Sequence, residues 1–326
     1  MESTTKKDFS PEIITELVKA QFGSATQIKS LTPLTAGWFN SAYQVEFTDH
    51  QLDAILRIAP HPEQRLLTYE HDLMRKELLV YETLQRAGTI PVPRLLAYDL
   101  SRQLIERDYM FIEKLSGRPL DQILDSLNET QKEHIHRQIG EIAAAAQSIQ
   151  GESFGYFGDG PGSGSSTWRA AFSAFVDALL DDGETLDVAL PLPYDRIRTL
   201  FQVQSHTLDE VHTPVLVHWD LWPVNIFVIE KNGQFEVEGI IDWERAYWGD
   251  PESEPPLAVR FYGPAFYQGY GKDLTDTPEA TIRRKMYNLY LLLVMKIEAK
   301  VRFEEAEHLG WVQSMLEKEL REFEQL

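Results

Sequence analysis

The sequence predicts an α+β chain in two unequal parts: a small, mostly β segment over residues 1–113 and a larger, helical one over 114–326. Three observations carry this. In the first part short apolar runs alternate with period two, as in Tyr43, Val45 and Phe47, which is the face of a half-buried strand. Beyond about residue 118 the apolar spacing lengthens to three and four, as in Ile135, Ile139, Ile142 and Ala146, which is the face of a helix. Inside the helical part, Ile226–Glu230 and Gln234–Ile241 flank Lys231-Asn232-Gly233, and Asn-Gly is the strongest short-range hairpin signal.

At 326 residues the chain is long enough for one large core or two moderate ones. Its charge of 31 − 51 = −20 argues against nucleic acid or an anionic membrane as partner and is compatible with a cationic one. Cysteine is absent, which excludes disulfides, thiolate metal sites and a cysteine nucleophile. Residues 1–8 contain no apolar signal region, and no run is long enough to span a bilayer. The expected location is the cytoplasm.

Pro11–Phe22 reads as a short amphipathic helix, with Ser10 as N-cap and Pro11 in its first turn. Thr32–Phe47 reads as strand, turn, strand, the turn being Leu34–Ser41 with Gly37 as its one glycine. Ala54–Ile58 is a strand carrying a single cation, Arg57. Leu66–Ala87 reads as a helix whose inner face holds Leu73, Val80 and Leu84. Glu77 shares that face, and an inward carboxylate requires a partner. Arg57 is the candidate partner, with Glu70 competing for it. Tyr109–Glu113 is an apolar strand that runs through Leu115 into a turn at Gly117.

Asn128 is placed to cap a helix to Ile149, with Gln131 completing a capping box. His134 and His136, two apart, point to different sides and read as surface residues. Gly151–Thr167 is a Gly/Ser-rich loop, but no Gly-Lys-Ser/Thr follows, so a P-loop is excluded. Trp168–Leu180 reads as a helix followed by the acidic cluster Asp181, Asp182 and Glu184, either a solvated end or a rim that attracts amines. Glu279–Glu305 is a long, partly buried helix, and Trp311, Met315 and Phe323 sit on a last one. Tyr262, Phe266 and Tyr267 read as core aromatics, with a pocket lining as the alternative.

The chemistry concentrates at Leu216–Asn225 and Gly239–Glu244. His218-Trp219-Asp220 is followed five residues later by Asn225, then by the hairpin, then by Ile241-Asp242-Trp243. Those groups supply what phosphoryl transfer needs: a carboxylate for the incoming hydroxyl (Asp220), an amide oxygen for metal (Asn225) and a carboxylate for metal (Asp242). With the turn on Asn232-Gly233, paired residues sum to 465, so Asn225 faces residue 240 and Asp242 lies about 7 Å further along at strand rise. A lone HxD is uninformative, and an Asp after a strand is often a helix N-cap. Neither explains the whole ordered set.

These motifs, with Trp248-Gly249-Asp250-Pro251, resemble the aminoglycoside phosphotransferase family of small-molecule kinases, relatives of choline kinases and protein kinases. The resemblance runs from about Leu31 to Pro251. It implies a two-lobed, protein-kinase-like fold that binds ATP or GTP with Mg²⁺ and phosphorylates a hydroxyl of a small molecule: an aminoglycoside-like antibiotic, an amino alcohol or a sugar. It makes the Gly37 turn the nucleotide-covering loop and gives Arg57 the phosphate-gripping position that is usually lysine, oriented by Glu77. Ile112 would lie behind the base, and the backbone of Glu113 and Leu115 would hydrogen-bond it. Two rival readings are a catalytically silent nucleotide binder, for which the intact Asp220 has no use, and a protein kinase, for which no Asp-Phe-Gly to Ala-Pro-Glu segment exists.

Overall fold

A computed structural model describes residues 5–35, 37, 39–48, 52–302 and 310–326, with the backbone alone at 255–260. In chain order the elements are α1 (Pro11–Phe22), β1 (Ile28–Leu34), β2 (Ser41–Phe47), β3 (Ala54–Ile58), α2 (Leu73–Ala87), β4 (Leu95–Asp99), β5 (Tyr109–Glu113), β6 (Arg118–Pro119), α3 (Glu129–Ala146), β7 (Gly155–Tyr156), α4 (Trp168–Thr185), α5 (Tyr194–Gln204), β8 (Val215–Val217), β9 (Ile226–Lys231), β10 (Gln234–Ile240), β11 (Tyr247–Gly249), α6 (Pro255–Tyr270), α7 (Pro278–Arg302) and α8 (Gly310–Phe323). The chain forms two compact units. One takes residues 1–65 and 92–116, with 302–304; the other takes 66–91, 117–301 and 305–326.

The first unit is an antiparallel sheet of order β1-β2-β3-β5-β4. Alternation along β2 sends Tyr43, Val45 and Phe47 to one face. There they meet Ile14, Leu17 and Val18 of α1, spaced three and four apart. The α1 cap is as expected, with the Ser10 hydroxyl accepting from the Ile13 N–H. Of the turn before β2, Ala36 and Trp38 lie outside the described residues; Gly37 has φ +83°.

The second unit holds the helices and two three-stranded sheets, β10-β9-β6 and β7-β11-β8. The capping box at α3 forms with both hydrogen bonds, Gln131 N–H to Asn128 Oδ1 and Asn128 N–H to Gln131 Oε1. Helices α3 and α6 approach closely because glycines stand at the contact: a methyl on Gly140 would strike the Phe266 carbonyl, and one on Gly269 the Arg137 carbonyl. Leu289, Leu293 and Ile297 of α7 are fully buried, whereas Lys296 is half-buried and Lys300 is exposed.

The structure corrects several sequence-based expectations. Residues 66–72 are not helical: a 3₁₀ turn at Thr68–Glu70 precedes α2, which starts at Leu73 after Asp72 in the left-handed region. The Glu70 carboxylate accepts the Leu67 N–H, and both residues are buried, so side-chain bonding within the turn displaces the helix. Helix α2, grouped from sequence with residues 1–113, belongs to the second unit and packs on Trp243–Arg245. Asp181, Asp182 and Glu184 lie within α4, not beyond it. The last residues predicted for the helix from Glu279, 303–305, fall outside the described ones.

Candidate active site

The site is built on the hairpin β9–β10. Its register begins as predicted, Gln234 opposite Lys231 and Val237 opposite Val228, both summing to 465. A bulge between Val237 and Gly239 then adds one residue, so Ile240 pairs with Ile226. Asn225 therefore faces residue 241, not 240: the Ile241 N–H donates to the Asn225 carbonyl at 3.0 Å. Asp242 is the very next residue, with φ +67° and ψ +53°. The bulge brings the two closer than a regular ladder would.

Asp220 closes the arrangement. Asn225 Nδ2 donates to the Asp220 carbonyl at 2.9 Å and to its carboxylate at 3.1 Å. The amide oxygen of Asn225 is thereby turned away from Asp220. Burial pushes the Asp220 carboxyl up to about 6; Arg245 opposes the shift, and the neighbouring charges of Asp242 and Glu298 add to it.

His218 is a brace. Its Nδ1 accepts the Asp220 N–H at 3.1 Å, which makes Nε2 the protonated nitrogen, and that donates to the Ile241 carbonyl at 3.1 Å. One neutral imidazole thus ties the Asp220 loop to the strand end that carries Asp242. Burial pushes its pKa down to about 4, so it stays neutral at pH 7. Trp219, at φ +65°, points into the core against Tyr290 and Tyr247. It packs rather than narrowing a substrate site.

Four acidic or basic residues that the sequence reading did not single out complete the site. Glu254 is buried and accepts the His218 N–H at 2.6 Å and the Trp219 N–H at 3.0 Å. Arg245 pairs with Glu298, which also accepts from the Tyr69 hydroxyl at 3.2 Å, and its guanidinium lies over the Tyr69 and Trp219 rings. Glu244 is buried beside Asp242 and Glu77, and each of these three offers a carboxylate oxygen within 4.8 Å of the others. The only available signal was Glu244 and Arg245 following Ile241-Asp242-Trp243 directly; Glu254 and Glu298 are distant in sequence. Asp250, noted within Gly249-Asp250-Pro251, is a structural anchor that accepts from Tyr287 at 2.6 Å and from Arg283 at 3.2 Å.

The remaining sequence candidates fall in the units as follows. Glu77 is fully buried on α2 of the second unit. In the first unit, Arg57 is buried on β3 and Ile112 on β5. The Glu113 N–H is committed to the Arg94 carbonyl at 2.8 Å, which leaves only its carbonyl for a base. The acidic cluster of α4 is occupied: Arg198 bonds Asp177, Asp181 and Glu184, and Asp182 accepts from the Thr68 N–H and hydroxyl. Tyr262 and Phe266 are core residues, and Tyr267 is half-buried.

A carboxylate bonded to a carboxamide, with a second carboxylate at the mouth of the same hairpin, is the arrangement expected of a phosphotransferase, here on an α+β kinase-like fold. The phosphotransferase enzyme family model matches residues 30–284, and the chain belongs to that family. It is 27% identical over 282 residues to a "Probable ketoamine kinase" of Staphylococcus aureus (strain NCTC 8325), spanning 82% of this chain and 86% of that one. It is 36% identical over 87 residues to a "Probable ketoamine kinase" of Synechocystis sp. (strain PCC 6803), a match covering 26% of this chain and only 28% of the relative. Among solved structures, a candidate fructosamine-3-kinase from Haemophilus somnus 129PT superposes with a TM-score of 0.67 at 20% identity over 95% of this chain and 96% of that one. The ADP-bound aminoglycoside phosphotransferase APH(2'')-Ib gives 0.63 at 16% identity, over 97% and 99%. Among the described residues no helix is long and apolar enough to cross a membrane.

Proposed function

We propose that this protein transfers the γ-phosphate of ATP or GTP to a hydroxyl of a small ketoamine-type molecule. The observation that carries the reading is the tie of Asp220 to Asn225 and, through Ile241, of Asn225 to the residue before Asp242. The ketoamine class comes from the two relatives bearing that name, one aligned over most of both chains. The nucleotide is supported by the ADP-bound family neighbour.

The donor set suits Mg²⁺. Asp242 with Glu77 and Glu244 offers clustered oxygens, and the Asn225 amide oxygen is turned away from Asp220; hard divalent cations take oxygen ligands of this kind. Asn225 and Asp242 are the proposed ligands. When bound, the ion would neutralise charge on the nucleotide phosphates.

The chain's own residues do the rest. Asp220 accepts a hydrogen bond from the acceptor hydroxyl, orients it and receives its proton late, as suits a loose transition state in which positioning supplies most of the rate. His218 and Glu254 hold that loop in place through its backbone. Arg57 is assigned to phosphate oxygens. An aminoglycoside acceptor is the less favoured class, because the carboxylates Asp181, Asp182 and Glu184 already have partners. The test is ADP release measured across a panel of ketoamines, aminoglycosides, amino alcohols and free sugars, run beside Asp220→Asn. Turnover confined to wild type with a ketoamine supports the reading; equal turnover by the variant refutes the role of Asp220.

A further inference from the structure

Two tryptophans flank Asp220, and the structure treats them oppositely. Trp219 is 3% exposed and buried in the core, whereas Trp222 is only half-buried and sits on the accessible side of the loop. Trp222 is fixed relative to the carboxylate. Its backbone N–H donates to the Asp220 carbonyl at 2.8 Å, and its own carbonyl accepts from the Asn225 N–H at 2.9 Å. Its ring meets that of Phe261 at 4.5 Å between centroids and 65° between planes. Phe261 leaves 37% of its surface exposed. The next residue locks this pairing: the Tyr262 hydroxyl donates to the Leu221 carbonyl at 2.5 Å. Helix α6 and the Asp220 loop are therefore held in register, with two aromatic rings beside the proposed base.

We propose that Trp222 and Phe261 form the floor on which the acceptor lies, and that they select a cyclic, sugar-type acceptor whose C–H face covers the rings while one hydroxyl reaches Asp220. The inference rests on the phosphotransfer reading above and deepens it. A ring-closed sugar is amphipathic in the matching sense: its hydroxyls lie around the edge and its C–H groups form a face. An aromatic floor with a few fixed polar groups is the usual composition of a small-molecule site. A polycation would need free carboxylates here instead. Two carboxylates behind the loop are committed, Glu254 to backbone N–H groups and Glu298 to Arg245 and Tyr69.

The test uses one acceptor in two forms: the ketoamine made from glucose and glycine, and the open-chain polyol obtained by reducing it with borohydride. Both carry the same amine, but only the first can close a ring. Wild type should prefer the first by about tenfold in kcat/KM, the scale of one well-placed aromatic contact. Phe261→Ala should remove most of that preference through KM, with kcat kept within about twofold because Phe261 does not touch the base. Trp222→Leu should remove the preference too, and Trp222→Phe, which keeps a ring, should retain much of it. Equal use of both forms by wild type, or an undiminished preference in Phe261→Ala, overturns the floor while leaving phosphotransfer intact. If neither form releases ADP while another acceptor class does, the ketoamine reading fails and the inference fails with it.

Discussion

Glu254→Ala tests how the loop carrying the proposed base Asp220 is held. The carboxylate spans two consecutive buried N–H groups, of His218 at 2.6 Å and of Trp219 at 3.0 Å. Leaving a buried donor unpaired costs roughly 1–3 kcal/mol, so the pair costs about 2–6 kcal/mol before relaxation. Relaxation has an obvious route. Trp219 sits at φ +65°, a conformation that costs a non-glycine residue about 1–2 kcal/mol. Without Glu254 the loop can release that strain by turning the peptide and carrying Asp220 with it. If about 3 kcal/mol of the loss appears in the transition state, kcat falls about a hundredfold, while the nucleotide KM changes little. Melting is best compared at several pH values, because burial pushes the Glu254 carboxyl up to about 7 and the wild type takes up a proton on folding between about 4.3 and that value. Rates are best taken at pH 7.5 by coupled ADP release. A variant with wild-type melting temperature and kcat would refute the idea that Glu254 sets this loop.

Four further outcomes are expected. Asp220→Asn should lower kcat by about 10²–10⁴, the usual worth of a positioned general base, with melting unchanged or raised because a buried charge is removed. Because burial raises Asp220 to about 6 and a base must be ionised, the rate should fall tenfold per pH unit below about 6, and Glu298→Gln should move that limb to lower pH. Glu254 binds its proton more tightly folded than unfolded, so its stabilisation is complete below about 4.3 and is lost as pH rises to about 7. Glu254→Gln, which does not titrate, should therefore gain about 4 kcal/mol relative to wild type across that window, read by paired melting curves. Gly263 has φ +58° and ψ −153° at the kink of α6, so Gly263→Ala should cost about 1–3 kcal/mol although its new methyl would meet nothing.

The local features of this chain could be read from sequence, and the errors fall where distant residues intervene. The caps of α1 and α3 and the turn at Asn232-Gly233 are set by neighbours within four residues, and all form as expected. The bulge in β10 coincides with a contact from far away: the carboxylate of Glu238, the extra residue, accepts the Gly117 N–H at 2.6 Å, across 121 residues. No alternation pattern records such a contact, and past the bulge Asn225 faces Ile241. Residues 66–72 carry helical spacing, yet Leu67 and Tyr69 are drawn into the second unit's core and Asp72 turns left-handed. Asp220, Asn225 and Asp242 were visible because their spacing is short. Glu254 was not, because its meaning lies in N–H groups 35 and 36 residues earlier.

The same distance explains how one helical segment would bear on both rate and choice of acceptor in the proposed reaction. The Glu254–Tyr270 stretch grips the Asp220 loop from its first residue, through Glu254, and again a turn or two later, through Tyr262 to Leu221. Between those grips it presents Phe261 to Trp222. The Gly263-Pro264 kink follows at once, so the helix can end its contact with the loop there and turn to pack on α3. Substitutions that shift this segment must therefore move the base and the aromatic floor together, whereas trimming Phe261 alone touches only the floor. A change of acceptor preference without loss of kcat is accordingly expected at position 261 and not at 254 or 262.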